Sequence, residues 1–256
     1  MLAFHGGGQV AAQMQQISGL DALADREHFI VAYPEAVERS WADGRNETSA
    51  EKQGVDDVGF AKAVVGDIAR TRTVDRARVF ATGLSNGGVF THRLACDAAD
   101  TFAAIGPVIA TMATRVAASC RPSAPVGVVS VVGIADPSVR FDGGAVGDRA
   151  EGGRMQASRA TEELWRSLND CRPMVTSTPL PVLVPDGTAV VRRTYAGCRG
   201  TGDVVWYEIE GGGHRWPPHS YEGAEEASAL RENGVSSRNI NASEVIWAFF
   251  AAHPRR

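Results

Sequence analysis

Lysine is almost absent from this sequence of 256 residues: Lys52 and Lys62 are the two lysines, and the remaining basic residues are arginines. No block of basic residues occurs, and the net charge is −4 at pH 7. A chain without clustered positive charge lacks the attraction by which proteins bind nucleic acid or anionic membranes. We therefore expect neither partner, and a substrate that is uncharged and either small or polymeric.

Long apolar stretches are missing as well. The longest, residues 103–112, is interrupted by Gly106 and Pro107, and it is shorter than the roughly 18 residues of a membrane-spanning helix. The content of hydrophobic residues is 44% and that of charged residues 22%, which is typical of a globular protein and not of a disordered or fibrous one. We expect one α/β domain over residues 1–256.

Cysteine is scarce, and its spacing argues against a metal site. Cys96, Cys120, Cys171 and Cys198 form no C-x-x-C pair, and no histidine lies near them at the spacing of zinc ligands. Four cysteines allow three pairings, and free thiols remain an alternative. Disulfides Cys96–Cys120 and Cys171–Cys198 would each close a loop of about 25 residues and contribute ~3 kcal/mol in the chain-entropy model. They would indicate an oxidising compartment, yet no signal peptide opens the chain.

Apolar runs of strand length alternate with amphipathic segments along the chain. The predicted strands are 29–33, 78–83, 104–109, 126–132 and 204–209, and the predicted helices are 10–27, 57–70, 86–98, 155–168 and 240–252. Strands that are apolar throughout are typical of parallel sheets buried on both faces, and the alternation predicts helices on both sides of such a sheet. Asp56 or Asp57 can cap the second helix. Residues 182–195, with Pro185-Asp186-Gly187, predict a hairpin before the last strand.

A G-x-S-x-G motif, Gly83-Leu84-Ser85-Asn86-Gly87, stands between a predicted strand and a predicted helix. This is the context of a nucleophile elbow, in which a serine occupies a strained turn and glycines on either side avoid clashes with neighbouring backbone. The alternative is a glycine-rich helix start capped by Ser85. We favour Ser85 as a nucleophile.

A serine nucleophile needs a base that is itself held by an acid. His214 follows a predicted strand within Gly211-Gly212-Gly213-His214, and His219 is its one serious rival. Asp136 lies in the loop after the predicted strand 126–132, although Asp142 is close enough to compete. We expect His214 to be the base, and Asp136 to orient it and to stabilise its protonated form.

Glycines follow the short first strand in His5-Gly6-Gly7-Gly8. Such a loop can turn backbone N–H groups toward a tetrahedral oxyanion, together with the N–H of the residue after the nucleophile. We expect Gly7 and Asn86 to form this oxyanion hole.

Several motifs occur in an order that matches a known family. They are His5-Gly6-Gly7-Gly8, Ser40-Trp41 with Asp43-Gly44-Arg45, Val55-Asp56-Asp57-Val58-Gly59-Phe60, Thr82-Gly83-Leu84-Ser85-Asn86-Gly87-Gly88, Arg93-Leu94-Ala95-Cys96, Ala135-Asp136-Pro137 and Gly211-Gly212-Gly213-His214 with Trp216-Pro217. Over nearly its whole length the chain resembles the secreted polyhydroxybutyrate depolymerase and feruloyl esterase family of α/β-hydrolases, which is related to carbohydrate esterase family 1. The resemblance implies an α/β-hydrolase fold, the triad Ser85, Asp136 and His214, secretion, and the disulfides Cys96–Cys120 and Cys171–Cys198. Val132, Arg140 and Arg215 depart from the family pattern.

The combined features predict a serine carboxylic-ester hydrolase that needs no cofactor or metal. Feruloyl or acetyl esters of plant polysaccharides and short hydroxyalkanoate polyesters are both open as substrates. Trp41 and Trp216 are candidates for stacking on a substrate, with core packing as the alternative. An acyltransferase with the same triad, a non-catalytic binding domain and a truncated inactive product are the other hypotheses.

The front of the chain is short for this family, whose members usually carry one or two strands ahead of the His-Gly loop. A truncated or misassigned start would account for this and for the missing signal peptide. Without those strands, the predicted strand Phe29–Tyr33 becomes an open sheet edge, which invites self-association.

Overall fold

The computed structural model describes residues 1–146 and 153–255. The strands are β1 Leu2–Phe4, β2 Phe80–Leu84, β3 Ala104–Val108, β4 Gly127–Gly133, β5 Gly144–Ala145, β6 Arg154–Met155, β7 Val175–Pro179, β8 Ala189–Tyr195 and β9 Val204–Glu210. The helices are α1 Ala11–Ser18, α2 Leu20–Glu27, α3 Ser49–Lys52, α4 Asp57–Thr71, α5 Asn86–Asp97, α6 Thr114–Ser119, α7 Ser158–Leu168, α8 Gly223–Asn233 and α9 Ala242–Ala252. No helix among these residues is long and apolar enough to cross a membrane.

The main sheet has the strand order β1-β2-β3-β4-β9-β8-β7. Strands β1, β2, β3, β4 and β9 pair in parallel, whereas β8 and β7 continue the sheet in antiparallel fashion. The carboxyl ends of β2, β4 and β9 therefore meet at one edge, where ligand sites of open α/β sheets form.

Both faces of the sheet are covered by helices, because successive side chains of each buried strand point to opposite sides. In β4, Val128 and Val132 join one core cluster, while Val129 and Val131 join the other. Helices α4, α5, α6 and α7 contribute to the first cluster, and α1, α2 and α9 contribute to the second. The predicted α/β architecture, mostly parallel with helices on both faces, is confirmed.

Two helix boundaries show how local chemistry sets the elements. Asp56 caps α4, since its Oδ1 accepts the N–H of Gly59 at 2.8 Å. The helix predicted over residues 10–27 is divided into α1 and α2 at Gly19, whose φ of 59° lies in the left-handed region that glycine tolerates.

The strand predicted over Phe29–Tyr33 is wrong. Only Ala32 forms a bridge, to Leu2, with Ala3 N–H donating to Ala32 O and Ala32 N–H donating to Met1 O. The Met1 amine also donates to Ile30 O at 2.7 Å. Because β1 has only three residues, the pairing is limited to these bonds, and packing holds the rest of the segment. Phe29, for example, stacks on Trp247 at a centroid distance of 4.0 Å.

The predicted hairpin is present, but its first strand lies before residue 182, where the predicted hairpin begins. β7 and β8 form the antiparallel pair, and residues 180–188 form the connection. The side chain of Asn239 holds this connection, because its Oδ1 accepts the N–H groups of Leu183 and Val184 and its Nδ2 donates to Val184 O.

Candidate active site

Ser85 stands at the sharp turn between β2 and α5, with φ 53° and ψ −120°. The turn is possible because two glycines lie against backbone. A Cβ on Gly83 would approach the carbonyl carbon of Gly87 to 2.5 Å, and a Cβ on Gly87 would collide with the carbonyl oxygens of Phe4 and His5. The predicted strand–serine–helix arrangement is therefore present, and it exposes the serine hydroxyl at the carboxyl edge of the sheet.

The structure brings Ser85, His214 and Asp136 together. Nε2 of His214 lies 2.8 Å from Oγ of Ser85, and Nδ1 of His214 lies 2.7 Å from Oδ2 of Asp136. The residues come from the ends of β2, β9 and β4, which are far apart in the chain and close in the sheet. A neutral imidazole in this position can take the serine proton while the carboxylate stabilises the resulting cation.

Asp136 is fixed by backbone as well as by histidine. Its Oδ1 accepts the N–H groups of Ser138 at 2.7 Å and Val139 at 2.8 Å, and its side chain is only 1% exposed. Its rival Asp142 is exposed. His219, the rival base, lies in the wall of the cavity next to Ser85 without a bond to the serine.

The glycine loop leaves one amide free for an oxyanion. Gly6 N–H donates to Oε1 of Gln9, and Gly8 N–H donates to the carbonyl of Arg39. Across the residues that the structure describes, Gly7 N–H has no acceptor, and neither does Asn86 N–H at the start of α5. Gly7 also lies beside Asn86, since a Cβ on this glycine would be 3.6 Å from the Cβ of Asn86.

Asn86 also braces the elbow through its side chain, a role that the sequence analysis missed. Its Oδ1 accepts Trp41 N–H at 2.8 Å, and its Nδ2 donates to Oδ2 of Asp43 at 2.7 Å. Burial raises the pKa of the Asp43 carboxyl, and the ion pair with Arg45 at 2.8 Å opposes that effect. In the sequence, Asp43-Gly44-Arg45 stands out only as part of the family pattern, and no local signal shows that it reaches the elbow.

His5 anchors the start of the glycine loop. Its Nδ1 lies 2.8 Å from the carbonyl of Gly6, and its Nε2 accepts Ala36 N–H at 3.2 Å. Burial lowers the pKa of His5, which favours the neutral ring that can accept this bond.

Ser85 and His214 open on a cavity of ≈ 180 Å³ whose wall also includes Gly7, Arg215, His219 and Tyr221. A second cavity of ≈ 370 Å³ shares Ile17 and His219 with it, so the two are adjacent. No cluster of metal-ligating side chains occurs in residues 1–146 and 153–255.

The tryptophans do not take the predicted stacking roles. Trp41 has no exposed surface and packs between Phe4 and Phe90, at centroid distances of 4.9 and 5.5 Å. Trp216 borders the cavity but is 2% exposed, and its indole N–H donates to Ser243. Trp41 lies outside the cavity wall and Trp216 presents almost no surface to the cavity, so both side chains belong to the core.

Both predicted disulfides are present. Cys96 is bonded to Cys120, and Cys171 is bonded to Cys198. Of the positions that depart from the family pattern, Val132 is buried in β4, Arg140 is exposed, and Arg215 is buried in an ion pair with Glu226.

Comparison with known proteins identifies relatives of the sequence. NocK of Nocardia uniformis subsp. tsuyamanensis is 32% identical over 224 residues, which cover 84% of this chain and 64% of NocK. Feruloyl esterase C of Emericella nidulans is 27% identical over 201 residues, or 78% of this chain and 62% of the fungal protein. The chain thus spans less than two thirds of the length of these relatives.

Solved structures with low sequence identity share the fold. The acetyl xylan esterase of Aspergillus awamori superposes with a TM-score of 0.57 at 15% identity, covering 85% of this chain and 84% of that one. SOBER1 of Arabidopsis thaliana gives 0.51 at 14% identity over 98% of this chain and 97% of its own. Together with the sheet order, they establish an α/β-hydrolase fold.

A family model described as "Esterase PHB depolymerase" matches residues 1–154, more than half of the sequence, and this segment contains the glycine loop, the elbow and Asp136. The chain belongs to the esterase PHB depolymerase family.

Proposed function

We propose that the protein is a serine carboxylic-ester hydrolase that works through an acyl-enzyme. The observation that carries the proposal is the position of His214, whose two ring nitrogens lie 2.8 Å from the hydroxyl of Ser85 and 2.7 Å from the carboxylate of Asp136. Membership of the esterase family and the esterase relatives support it.

In the proposed reaction, Ser85 Oγ attacks the ester carbonyl while His214 Nε2 takes its proton. The carbonyl oxygen becomes negatively charged, and the free N–H groups of Gly7 and Asn86 stabilise it. One such donor is worth about 3 kcal/mol in the transition state. His214 then gives its proton to the leaving alcohol, and water, activated by the same imidazole, releases the acid. Asp136 keeps Nδ1–H of His214 in place throughout, so that Nε2 faces the serine.

Water is the proposed acyl acceptor. The side chain of His214 is 13% exposed and borders an open cavity, so a water molecule can reach the imidazole. This access favours hydrolysis over acyl transfer to an alcohol, which requires that water be kept out.

The size of the site and the relatives support a proposal for the substrate class. A cavity of ≈ 180 Å³ is smaller than the roughly 300 Å³ at which sites for drug-sized ligands begin. It suits a short acyl group, while the rest of a larger ester extends along the adjacent cavity of ≈ 370 Å³. Acetyl esters of polysaccharides and short hydroxyalkanoate polyesters meet this description, and a feruloyl ester meets it when its larger acyl group also extends into the adjacent cavity.

We also propose that the protein works outside the cytoplasm. Two disulfides, with every cysteine paired, are characteristic of an oxidising compartment.

The test is a release assay with p-nitrophenyl acetate, methyl ferulate and a hydroxybutyrate oligomer on one preparation, together with labelling by a fluorophosphonate. Turnover of at least one ester and labelling at Ser85 are expected, and Ser85→Ala should abolish both. Ser177→Ala, on the exposed face of β7, is the matched control and should retain both. Labelling that survives in Ser85→Ala would refute the assignment.

A further inference from the structure

Tyr221 is the aromatic side chain in the wall of the catalytic cavity that keeps a large accessible surface. It is 38% exposed, whereas Trp216 in the same wall is 2% exposed. Tyr221 precedes α8 in the segment after His214, so it reaches the cavity from the side that also carries the base.

The ring of Tyr221 is held in place by its neighbours. The guanidinium of Arg215 lies 5.5 Å from the centroid of the ring, within the range of a cation–π contact. His219 makes an edge contact, with centroids 4.8 Å apart and planes at 89°. With these contacts in place the residue still keeps 38% of its surface exposed, and it borders the cavity.

One ion pair organises this wall. Arg215 Nη1 and Nη2 donate to the two carboxylate oxygens of Glu226, each at 2.7 Å, and Nη2 also donates to the carbonyl of His219. The same carboxylate accepts Tyr221 N–H at 2.8 Å. Hydrogen bonding to Arg215 lowers the pKa of Glu226 to about 2, so the pair stays charged in ordinary buffers. Glu226 on α8 therefore fixes Arg215, His219 and Tyr221 relative to each other.

We propose that Tyr221 determines substrate specificity by stacking on a ring of the ester, and that Glu226 positions it through Arg215. The proposal rests on the proposed esterase function and names the substrate class, namely esters that carry a ring with a flat apolar face. The ring of Tyr221 is already held by a cation and an imidazole, so it loses little conformational freedom when a ligand binds to it. A second flat ring can stack on it, whereas an aliphatic chain cannot make this stacking contact. The buried tryptophans leave this role to Tyr221.

The ring has two chemical sources, an aryl group on the acid side or a sugar on the alcohol side. Each source is tested by an ester pair whose members differ in the ring: methyl ferulate against methyl propionate, and acetylated xylobiose against ethyl acetate. The measured quantity is the ratio of kcat/KM within each pair, followed in a pH-stat so that no aromatic leaving group is needed.

We expect Tyr221→Leu to lower this ratio about fivefold in one of the two pairs, the size of an aromatic contact, and Tyr221→Phe to preserve it. Tyr221→Gln provides a second side chain without a ring. Tyr33→Leu, a partly exposed tyrosine beside β1, is the matched control and should leave the ratios unchanged. The affected pair identifies the acid side or the alcohol side as the ring's position.

Glu226→Gln tests the positioning role, because the amide keeps the size of the side chain and removes its charge. The expected signature is a higher KM for the ring-bearing ester with kcat largely retained, while fluorophosphonate labelling of Ser85 proceeds as in the wild type. If Glu226→Gln lowered kcat equally for all esters, Glu226 would have a general structural role, and the proposal would be contradicted.

Wild-type ratios in both Tyr221→Leu and Tyr221→Gln would overturn the assignment of Tyr221 and leave the esterase function standing. Absence of labelling and of turnover with every ester in the wild-type protein would instead refute the proposed function, and with it this inference.

Discussion

Nδ1 of His214 lies 2.7 Å from Oδ2 of Asp136, and the other carboxylate oxygen accepts two backbone N–H groups. This carboxylate is therefore held from both sides and cannot turn away from the imidazole without losing bonds to Ser138 and Val139. The arrangement fixes which nitrogen of His214 carries the proton. Asp136 therefore orients the imidazole in addition to supplying a negative charge.

Asp136→Asn should lower kcat by about 10⁴-fold, because an amide at this position permits the wrong tautomer of His214. Asp142→Asn is the matched control, since Asp142 is exposed in the same loop region and should change kcat little. Steady-state kinetics with p-nitrophenyl acetate measure both. If Asp142→Asn lowered kcat strongly and Asp136→Asn changed it little, the orienting acid would be Asp142.

Gly87→Ala should destabilise the protein by more than about 3 kcal/mol and abolish labelling of Ser85. The new methyl group would meet the carbonyl oxygens of Phe4 and His5, which are backbone and cannot give way without displacing β1 and the glycine loop. Gly66→Ala in α4 is the control. Its methyl group has open space, and replacing a helical glycine should stabilise by about 0.5–1 kcal/mol. Urea denaturation measures both, and a Gly87→Ala variant as stable as the wild type would contradict the close approach of Gly87 to Phe4 and His5.

Burial lowers the pKa of His92 from 6.5 to about 3, which makes the folded protein sensitive to acid. The unfolded chain binds a proton at this residue below pH 6.5 and the folded one does not, so stability falls as the pH drops from 6.5 toward 3. The slope from this one residue is about 1.4 kcal/mol per pH unit.

His92→Asn should flatten that slope, because asparagine does not bind a proton in this pH range. The fold should be retained, because the amide oxygen can still accept the N–H of Trp165, which lies 3.0 Å from Nδ1 of His92. His28→Asn, at an exposed position with φ 58°, is the matched control for the substitution itself. Urea denaturation between pH 4 and pH 7.5 provides the comparison, and identical slopes for wild type and His92→Asn would show that His92 is not responsible.

Loss of either disulfide should cost about 3 kcal/mol, since the bonds close chain separations of 24 and 27 residues. A peptide map without reductant should show Cys96–Cys120 and Cys171–Cys198, with no free thiol in the described chain. The variants Cys96→Ala/Cys120→Ala and Cys171→Ala/Cys198→Ala, compared by urea denaturation, test each bond. Four thiols that react with iodoacetamide in the native protein would contradict both bonds and the proposal of an oxidising compartment.

The sequence predicted those parts of the site whose geometry is set within a few residues. The elbow around Ser85 needs its glycines at fixed positions, and the loops of Asp136 and His214 follow apolar strands, so each could be located by local pattern. The central sheet could also be predicted from the sequence, because strands buried on both faces are apolar throughout.

Features that depend on distant contacts could not be read in this way. Phe29–Tyr33 has the composition of a strand, but the brevity of β1 limits its pairing to a single bridge. Trp41 looks the same in sequence whether it faces a substrate or, as here, Phe90. The bonds from Arg215 and Tyr221 to Glu226 span only 11 and 5 residues, yet no motif in the sequence indicates them.

The place of β9 in the middle of the sheet has a consequence for the timing of activity. This strand comes last along the chain, yet it inserts between β4 and β8, and the proposed base follows it directly. A growing or still unfolded chain thus carries the serine and the aspartate long before the histidine can join them, and long-range pairing of this kind is slow. On the proposed function, the protein would remain unable to cleave esters during its synthesis, and it would acquire that ability in the same step that completes its sheet.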